Sequence, residues 1–241
     1  FGVDVGGTTV KLAWFDEEGT LLHKWEIPTV TEGGGSAILP DIAKAVEGFL
    51  AENKIDKSQV IGIGVGVPGP VNDQGVVNRC VNLGWGVFNV AQTLSELTGL
   101  PVRAGNDANV AALGEAWKGG GMGCDNMVLA TLGTGVGGGI IIGGKPVSGA
   151  HGAGGEIGHI PLCKDETEPC GCGKFGCAEQ YCSATGVVRV TKRYLDAHDT
   201  PSVLRDLETL TAKDIFDAAK AGDAAAQEAL EQVYDLMGQF L

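Results

Sequence analysis

Three cysteines and one histidine stand at a spacing that suits a metal ion. Cys170, Cys172 and Cys177 fall within eight residues, and His159 precedes the first of them by eleven. One imidazole and three thiolates form a closed tetrahedral zinc site, which has no open position and is therefore structural rather than catalytic. The alternative is a group of reduced, buried thiols without a metal.

The other four cysteines are weaker candidates. Cys163 and Cys182 lie close enough to the cluster to be spare ligands, whereas Cys80 and Cys124 are isolated in the sequence. An odd total and a bunched distribution argue against the disulfide framework of a secreted protein. Clustered thiols favour metal binding in a reducing compartment, so we expect a cytoplasmic protein.

Two glycine-rich turns have the composition of phosphate-binding loops. DVGGTTVK and LGTGVGGG each read as strand, turn and strand. Glycine can take positive φ and let backbone N–H groups approach an anion, and threonine adds hydroxyl donors. Asp4, at the end of the first strand, could hold Mg²⁺ through water. Either turn alone could also be a plain hairpin; the residues are Gly6, Gly7, Thr8 and Thr9 in one, and Gly133, Thr134 and Gly135 in the other.

Asp107 opens a predicted helix in the stretch GNDANVAALGEAW. It could simply be the N-cap of that helix. The same position also suits a functional carboxylate, because it is rigidly placed and the helix dipole keeps it ionised. In phosphoryl transfer a base of low pKa is acceptable, since positioning and charge stabilisation dominate.

Further polar residues could recognise a sugar. The carboxylates of Glu156 and Glu179, the imidazole of His159 and the amide of Asn106 match the donor and acceptor pattern of vicinal hydroxyl groups. A lone glutamate is more often a solvated surface charge. The assignment of these residues therefore depends on the resemblance described below.

The elements that must position these residues indicate a mixed α/β protein. Strands and helices alternate as β-β-β-α-β-α-β-α, followed by two strands, the cysteine loop and helices, which predicts two lobes, 1–106 and 107–241. The predicted helices are Ile38–Glu52, Val90–Thr98, Asp107–Trp117, Ala184–His198, Ala212–Ala221 and Ala224–Leu241. The chain ends inside the last of these without a C-cap, so we expect the intact protein to continue.

Composition excludes several classes of protein. The chain has 17 basic and 30 acidic residues, a net charge of −13, and no basic run. A broad phosphate-facing patch for nucleic acid is therefore not expected. No apolar run reaches the length that spans a membrane. The 40 glycines are clustered rather than periodic, which favours glycine-rich loops.

Taken together, the motifs resemble those of the ROK family (repressor, open reading frame, kinase). DVGGTTVK, GIGVGVPGPV, GNDANVAALGE, LGTGVGGGI, GGEIGH and CGCGKFGCAEQYCSATG occur in the order found in that family and cover nearly the whole chain. The resemblance is greatest to its bacterial ATP-dependent glucokinases. It implies the two-lobed, actin-like, ribonuclease-H-like ATPase fold of the hexokinase type, here with a zinc-binding loop.

The resemblance also implies a role for each residue. Asp107 would be the general base that accepts the proton of the sugar 6-hydroxyl. The sugar would be held by Gly69, Asn82, Asn106, Asp107, Glu156, His159 and Glu179. ATP and Mg²⁺ would be held by Asp4, Gly6, Gly7, Thr8, Thr9, Lys11, Gly133, Thr134 and Gly135. Zinc would be held by His159, Cys170, Cys172 and Cys177, so that His159 serves metal and sugar with different nitrogens.

The implied function is ATP-dependent phosphorylation of glucose, with ATP, Mg²⁺ and a structural Zn²⁺. The same residues would also serve a ROK kinase for N-acetylmannosamine, N-acetylglucosamine, fructose or allose. A different class is a sugar-sensing transcriptional repressor, which the intact first phosphate motif and the acidic charge oppose. An actin-like scaffold has no use for the zinc loop or for Asp107. The family resemblance implies a homodimer or homotetramer that binds a hexose and neither nucleic acid nor membrane.

Overall fold

The computed structural model describes residues 1–241 and divides them into two compact units. The first unit comprises residues 1–129 and 139–155, and the second comprises residues 130–138 and 156–241. In chain order the elements are β1 (Gly2–Val5), β2 (Thr9–Phe15), β3 (Leu21–Pro28), α1 (Ile38–Asn53), β4 (Ile63–Val67), β5 (Val76–Val77), β6 (Phe88–Asn89), α2 (Val90–Thr98), β7 (Val102–Asn106), α3 (Asp107–Lys118), β8 (Met127–Leu132), β9 (Val136–Ile142), β10 (Lys145–Pro146), α4 (Glu179–Cys182), α5 (Ala184–Ala197), α6 (Ala212–Lys220) and α7 (Ala224–Phe240).

A five-stranded mixed sheet, in the order β3-β2-β1-β4-β7, forms the frame of the first unit. β1, β2 and β3 pair antiparallel as consecutive strands, while β1, β4 and β7 run parallel. The register places Asp4 opposite Lys11 on β2 and opposite Gly66 on β4. It also places Val67 opposite Asn106, so the ends of β4 and β7 meet where α3 begins.

The core of the first unit forms where α1 and α2 pack together and cover the sheet. α1 has the apolar spacing of an amphipathic helix, and its buried residues include Ile42, Val46 and Leu50. It ends at Lys54, whose φ of 56° is left-handed and whose N–H bonds the last carbonyls. The predicted helix at this position is therefore confirmed.

The division between the units differs from the predicted boundary between Asn106 and Asp107. α3 starts directly after β7 and packs against β4, β7 and β10, so it belongs to the first unit. The division passes instead through the neighbouring strands β8 and β9. Sequence spacing indicated where α3 begins, but it carries no information about which strands the helix packs against.

Helices α4 to α7 and the cysteine loop make up most of the second unit. Its core contains Val136, Tyr181, Tyr194, Ile215 and Leu230, all buried. The predicted starts of α5, α6 and α7 at Ala184, Ala212 and Ala224 are confirmed, and each follows a side-chain cap. The capping residues are Ser183 for α5, Thr211 for α6 and Asp223 for α7.

A mixed α/β architecture was predicted and is confirmed. The two-residue strands β5, β6 and β10 were not predicted, because they are too short to show a period of two. No helix of the structure is both long enough and apolar enough to cross a bilayer.

Truncation of Ile42 is expected to destabilise the first unit. Its side chain is 0% exposed and fixes α1 against the sheet. We expect Ile42→Ala to lower the free energy of unfolding by about 2–5 kcal/mol through the cavity it leaves. Urea unfolding followed by tryptophan fluorescence measures the change. The matched control is Ile61→Ala, because Ile61 is 73% exposed; an equal effect of both variants would contradict the packing described.

Candidate functional site

The turn between β1 and β2 carries the first predicted phosphate motif. Gly6 donates its N–H to the carbonyl of Thr9 at 3.0 Å, and a Cβ on Gly6 would lie 2.8 Å from that oxygen. Gly7 and Thr8 are exposed. Thr29 braces the turn, donating its hydroxyl to the Gly6 carbonyl at 2.7 Å. The result is a rigid, exposed turn in which close backbone packing explains Gly6.

The turn glycines do not use the positive φ that glycine allows. Gly6, Gly7, Gly133 and Gly135 all lie outside the left-handed region. Close approach of other atoms explains glycine at Gly6 and Gly135, whereas a Cβ on Gly7 or Gly133 would meet nothing within 4 Å. Sequence alone could not distinguish close approach from a requirement for positive φ.

Asn106, rather than Asp107, is the N-cap of α3. Its Oδ1 accepts the N–H of Asn109 at 3.1 Å, and its Nδ2 donates to the carbonyl of Gly69 at 3.1 Å. Gly69 has a φ of 110°, and a Cβ there would lie 2.8 Å from the carbonyl oxygen of Arg79. The structure thus brings Asn106 and Gly69 together and corrects the interpretation of Asp107 as the cap.

Asp107 is the first residue of α3, and its environment alters its acidity. Its Oδ1 accepts the N–H of Ala108 at 2.8 Å. Although the residue as a whole is exposed, partial burial of the carboxyl raises its pKa, and the negative charge of Asp4 raises it further. Asp107 is therefore a carboxylate that does not cap its own helix and that has a higher proton affinity than an ordinary aspartate.

Lys11 lies beside Asp4. The Lys11 Nζ is 3.9 Å from the Asp4 Oδ2, with both side chains more than half exposed. This follows from the β1–β2 register, which places the two residues opposite each other. The sequence alone did not locate Lys11; in the structure, Asp4, Lys11 and Asp107 form one charged group in the first unit.

Asn82 lies on a short 3₁₀ turn, Val81–Leu83, and is exposed. Cys80, directly before this turn, is 3% exposed. Burial raises the pKa of the Cys80 thiol, and the charge of Asp107 adds to this effect. The turn therefore lies on the Asp107 side of the first unit, while the Asn82 side chain makes no hydrogen bond to Asn106 or Asp107.

The predicted metal ligands do come together in the second unit. One ligand atom from each of His159, Cys170, Cys172 and Cys177 lies within 4.8 Å of the others. The Cys170 Sγ is 3.7 Å from the His159 Nδ1, and the Sγ atoms of Cys172 and Cys177 are 3.7 Å apart. Tetrahedral zinc with Zn–S bonds of about 2.3 Å separates its sulfurs by about 3.8 Å. The donor set therefore fits zinc in type, number and spacing.

The thiols of the cluster repel one another when ionised. Burial raises the pKa of Cys177 to about 12, and the neighbouring Cys170 and Cys172 add to the shift. Three thiolates in one place therefore require a cation among them. Cys163 and Cys182 lie outside this set of four ligands.

Backbone hydrogen bonds shape the cysteine loop. Leu162 and Cys163 both donate to the carbonyl of Gly176, and Ala178 donates to Ile160. Gly176 has a φ of 71°, and a Cβ there would overlap the carbonyl of Cys163. This glycine allows the loop to fold back on itself, so that Cys177 reaches His159.

The two ring nitrogens of His159 face different groups. Nδ1 faces Cys170, as described, whereas Nε2 is 3.9 Å from the Oε2 of Glu156. Nδ1 thus lies toward the predicted metal ligands and Nε2 toward Glu156, which is also a predicted sugar ligand; the double role of His159 stays a prediction.

Glu179 is joined to the second glycine turn. Its Oε2 accepts the N–H of Val136 at 2.9 Å, and a Cβ on Gly135 would overlap the same oxygen. The carbonyl of Gly133 accepts the N–H of Ala184 at 2.8 Å, and that of Thr134 accepts the Thr185 hydroxyl at 2.9 Å. The turn is thus fixed to the start of α5, with Glu179 against it.

Comparison with known proteins gives concordant matches. A model of the ROK family matches residues 1–241. A protein named glucokinase from Halalkalibacterium halodurans is 46% identical over 98% of this chain and 73% of its own length. The crystal structure of a ROK family glucokinase from Streptomyces griseus, in complex with glucose and AMPPNP, is 36% identical with a TM-score of 0.74, over 99% of this chain and 76% of that one. A ROK family transcriptional regulator, a homolog of the E. coli MLC protein, is 28% identical with a TM-score of 0.83, over 99% of this chain and 60% of that one.

An alanine at position 176 is expected to destabilise the cysteine loop. The added Cβ would meet the Cys163 carbonyl and hold a residue at positive φ, so we expect Gly176→Ala to cost about 2–4 kcal/mol. Thermal unfolding measures the loss. Gly171→Ala is the control in the same loop, since nothing lies within 4 Å of a Cβ there. Equal stability of the two variants would contradict the loop geometry.

Proposed function

Because the chain belongs to the ROK family, we propose that it catalyses the ATP-dependent phosphorylation of glucose at the 6-hydroxyl. The observation that carries the proposal is Asp107, a carboxylate of raised pKa at the start of α3, in a chain 46% identical to a protein named glucokinase. The resemblance predicted from the motifs is confirmed by these relatives. The 6-hydroxyl as the acceptor, and the fold as actin-like and two-lobed, are parts of the proposal.

Asp107 is the general base of the proposed reaction. As the 6-oxygen of glucose bonds to the γ-phosphorus, the bond from that phosphorus to the β–γ bridging oxygen breaks and ADP leaves. The hydroxyl proton passes to the carboxylate of Asp107. Because Asn106 caps α3, the Asp107 carboxyl is not needed as the cap and is available to the hydroxyl. Most of the rate enhancement in such reactions comes from positioning and charge stabilisation.

The family resemblance supplies the candidate sugar ligands, which occur in both units. In the first unit these are Gly69, Asn82 and Asn106 besides Asp107; in the second they are Glu156, His159 and Glu179. Asn106 Nδ2 already donates to Gly69, so a sugar would take its second hydrogen. Glu179 already accepts from Val136 with Oε2, and its Oε1 lies 3.8 Å from the Cys170 Sγ. With Cys170 bound to zinc as a thiolate, Oε1 would be open to a hydroxyl group.

The two glycine turns would hold the phosphates of ATP. Gly6, Gly7, Thr8 and Thr9 form one exposed turn, and Gly133, Thr134 and Gly135 form the other. Asp4 would hold Mg²⁺ through water, and Lys11 would add positive charge beside it. Mg²⁺ would neutralise charge on the phosphates as it develops.

The four-ligand cluster would bind one Zn²⁺ as a structural ion. The closed set His159, Cys170, Cys172 and Cys177 leaves no position for substrate, so its effect would be to order the loop that carries Glu156 and His159. Thiol ligands of this kind suit a reducing compartment, which supports the inferred cytoplasmic location. A homodimer or homotetramer is inferred from the family resemblance alone.

A sugar-sensing regulator is the second candidate function, because the TM-score to the ROK transcriptional regulator is 0.83. The resemblance of the intact DVGGTT motif to kinase members and the net charge of −13 favour the kinase. The two functions differ in one measurable respect, since only the kinase turns over ATP when sugar is present.

Substitution of Asp107 by asparagine is expected to abolish most of the turnover. Loss of the base should lower kcat by about 10²–10⁴-fold while the KM for glucose stays within a few fold. Sugar-dependent ADP release across a panel of hexoses measures both. The raised pKa of Asp107 should place the acidic limb of kcat/KM above the usual range of an aspartate, because the base must be deprotonated.

Asp73→Asn is the control, since Asp73 is an exposed aspartate of the same unit. Full turnover by Asp107→Asn would rule out its role as base. Turnover only on an acetamido sugar or fructose would keep the mechanism and change the substrate. Sugar binding by the unmodified chain without any ADP release would support the regulator instead.

The chain is expected to carry about one zinc ion when purified without added metal. Cys172→Ser should lower this content well below one equivalent, because Cys172 supplies one of the four ligands. Cys124→Ser, at an exposed cysteine outside the cluster, should leave it unchanged. Elemental analysis measures the content, and a metal-free, fully stable protein would contradict the zinc assignment.

A further inference from the structure

Glu166 is a buried carboxylate inside the cysteine loop. Its side chain is 2% exposed, although the adjacent Asp165 and Thr167 are exposed. Its carboxylate accepts the hydroxyl of Tyr181 at 2.5 Å and two N–H groups of Arg193 at 2.9 and 3.0 Å. Arg189 approaches the same carboxylate to 2.7 Å. Sequence analysis did not single out this residue, because CKDETEPC reads as an acidic surface loop.

The donors to Glu166 come from two helices. Tyr181 lies on α4, while Arg189 and Arg193 lie four residues apart on α5. The arginines outnumber the buried acid, and the half-exposed Glu168 balances the second charge at 2.9 Å from Arg189 and 3.3 Å from Arg193. The guanidinium of Arg193 holds the pKa of Glu166 far below its usual range, so the acid stays ionised. A buried, multiply bonded carboxylate of this kind fixes geometry strongly.

α4 cannot hold its own position. It contains four residues, Glu179–Cys182, and its N-cap, Ala178, provides no side-chain cap. One helical turn is far below the length at which helices are stable alone, so tertiary contacts decide its position. Those contacts determine where Glu179 lies.

The Glu179 carboxylate of α4 contacts the Val136 N–H at 2.9 Å and the Cys170 Sγ at 3.8 Å. Two further anchors act on the rest of the helix. At its N-terminal side, the Cys177 N–H donates to Gln180 at 3.1 Å, which connects the helix to the metal cluster. Gln180 in turn donates to the carbonyl of Glu168 at 3.0 Å. At the C-terminal side, Tyr181 is held by Glu166, as described. Glu179 lies between these anchors.

We propose that Glu166 is a positioning residue, which holds α4 and with it Glu179 in place in addition to the contacts from the metal cluster. It acts through Tyr181 and through Arg189, whose Nη1 donates to the Gln180 carbonyl at 3.4 Å. It contacts no substrate and acts only through α4. The link to sugar binding rests on the proposed function, in which Glu179 binds a hydroxyl group of the sugar. The order of α4 itself does not rest on it.

The first test is therefore independent of activity. Hydrogen–deuterium exchange of the α4 amides is measured for the unmodified chain, Glu166→Gln and Glu168→Gln, each with zinc and after chelation. We expect Glu166→Gln to raise the exchange of these amides at least about tenfold with zinc still bound. Glu168→Gln is the matched control, since its carboxylate is 62% exposed, and should change exchange little. Tyr181→Phe, which removes only the hydroxyl donor, should give a smaller rise in the same amides.

The second test is kinetic. If Glu179 contributes equally to ground-state and transition-state binding, Glu166→Gln should raise the KM for glucose about tenfold and leave kcat and the KM for ATP within about twofold. Direct calorimetric titration with glucose should show the same loss of affinity. Zinc content should remain that of the unmodified chain.

Several outcomes would overturn the proposal. Unchanged α4 exchange in both Glu166→Gln and Tyr181→Phe would show that the metal cluster alone fixes the helix. The folded Tyr181→Phe variant could instead lose zinc or show a general rise in exchange throughout the second unit. Either result would mean that Glu166 stabilises the whole unit and does not specifically position α4. Absence of turnover in the unmodified chain would refute the proposed function, while the exchange result would still decide the role of Glu166.

Discussion

One amide side chain, that of Asn106, connects the parts on which the first unit's chemistry depends. Asn106 ends β7, its Oδ1 caps α3 and its Nδ2 holds the carbonyl of Gly69, so a strand, a helix and a loop meet at this residue. Because the Asn106 side chain accepts a free N–H at the start of α3, Asp107 is not needed as the helix cap. The position of Asp107 follows from this arrangement, whereas its raised pKa follows from partial burial of its carboxyl group and from the nearby charge of Asp4.

In the second unit, the candidate ligands lie on a segment with little regular structure, so they are positioned by loop contacts rather than by the ends of strands. Residues 156–183 contain only a 3₁₀ turn and the four-residue α4. Their order comes from backbone bonds to Gly176, from the four clustered ligands and from the ion pairs of Glu166. Each restrains a different stretch of the loop, so that His159 and Glu179 are held at separate points.

Sequence spacing predicted what depends on local order. The apolar period of α1, the β1–β2 turn and the metal ligand set all follow from residues close together in the chain. It could not decide which of two adjacent polar residues caps α3, because Asn106 and Asp107 suit that role equally well in isolation. Glu166 was missed because its partner Arg193 lies 27 residues later, and nothing within the loop indicates a buried acid.

The contact between Gly135 and Glu179 restricts which substitutions can accumulate in this sequence during evolution. A side chain at position 135 would occupy the space of the Glu179 carboxylate, so position 135 cannot change freely while Glu179 keeps this conformation. The restriction runs in one direction, since a shorter residue at position 179 would leave Gly135 unobstructed. In a lineage in which a shorter residue replaced Glu179, position 135 could then accept residues other than glycine.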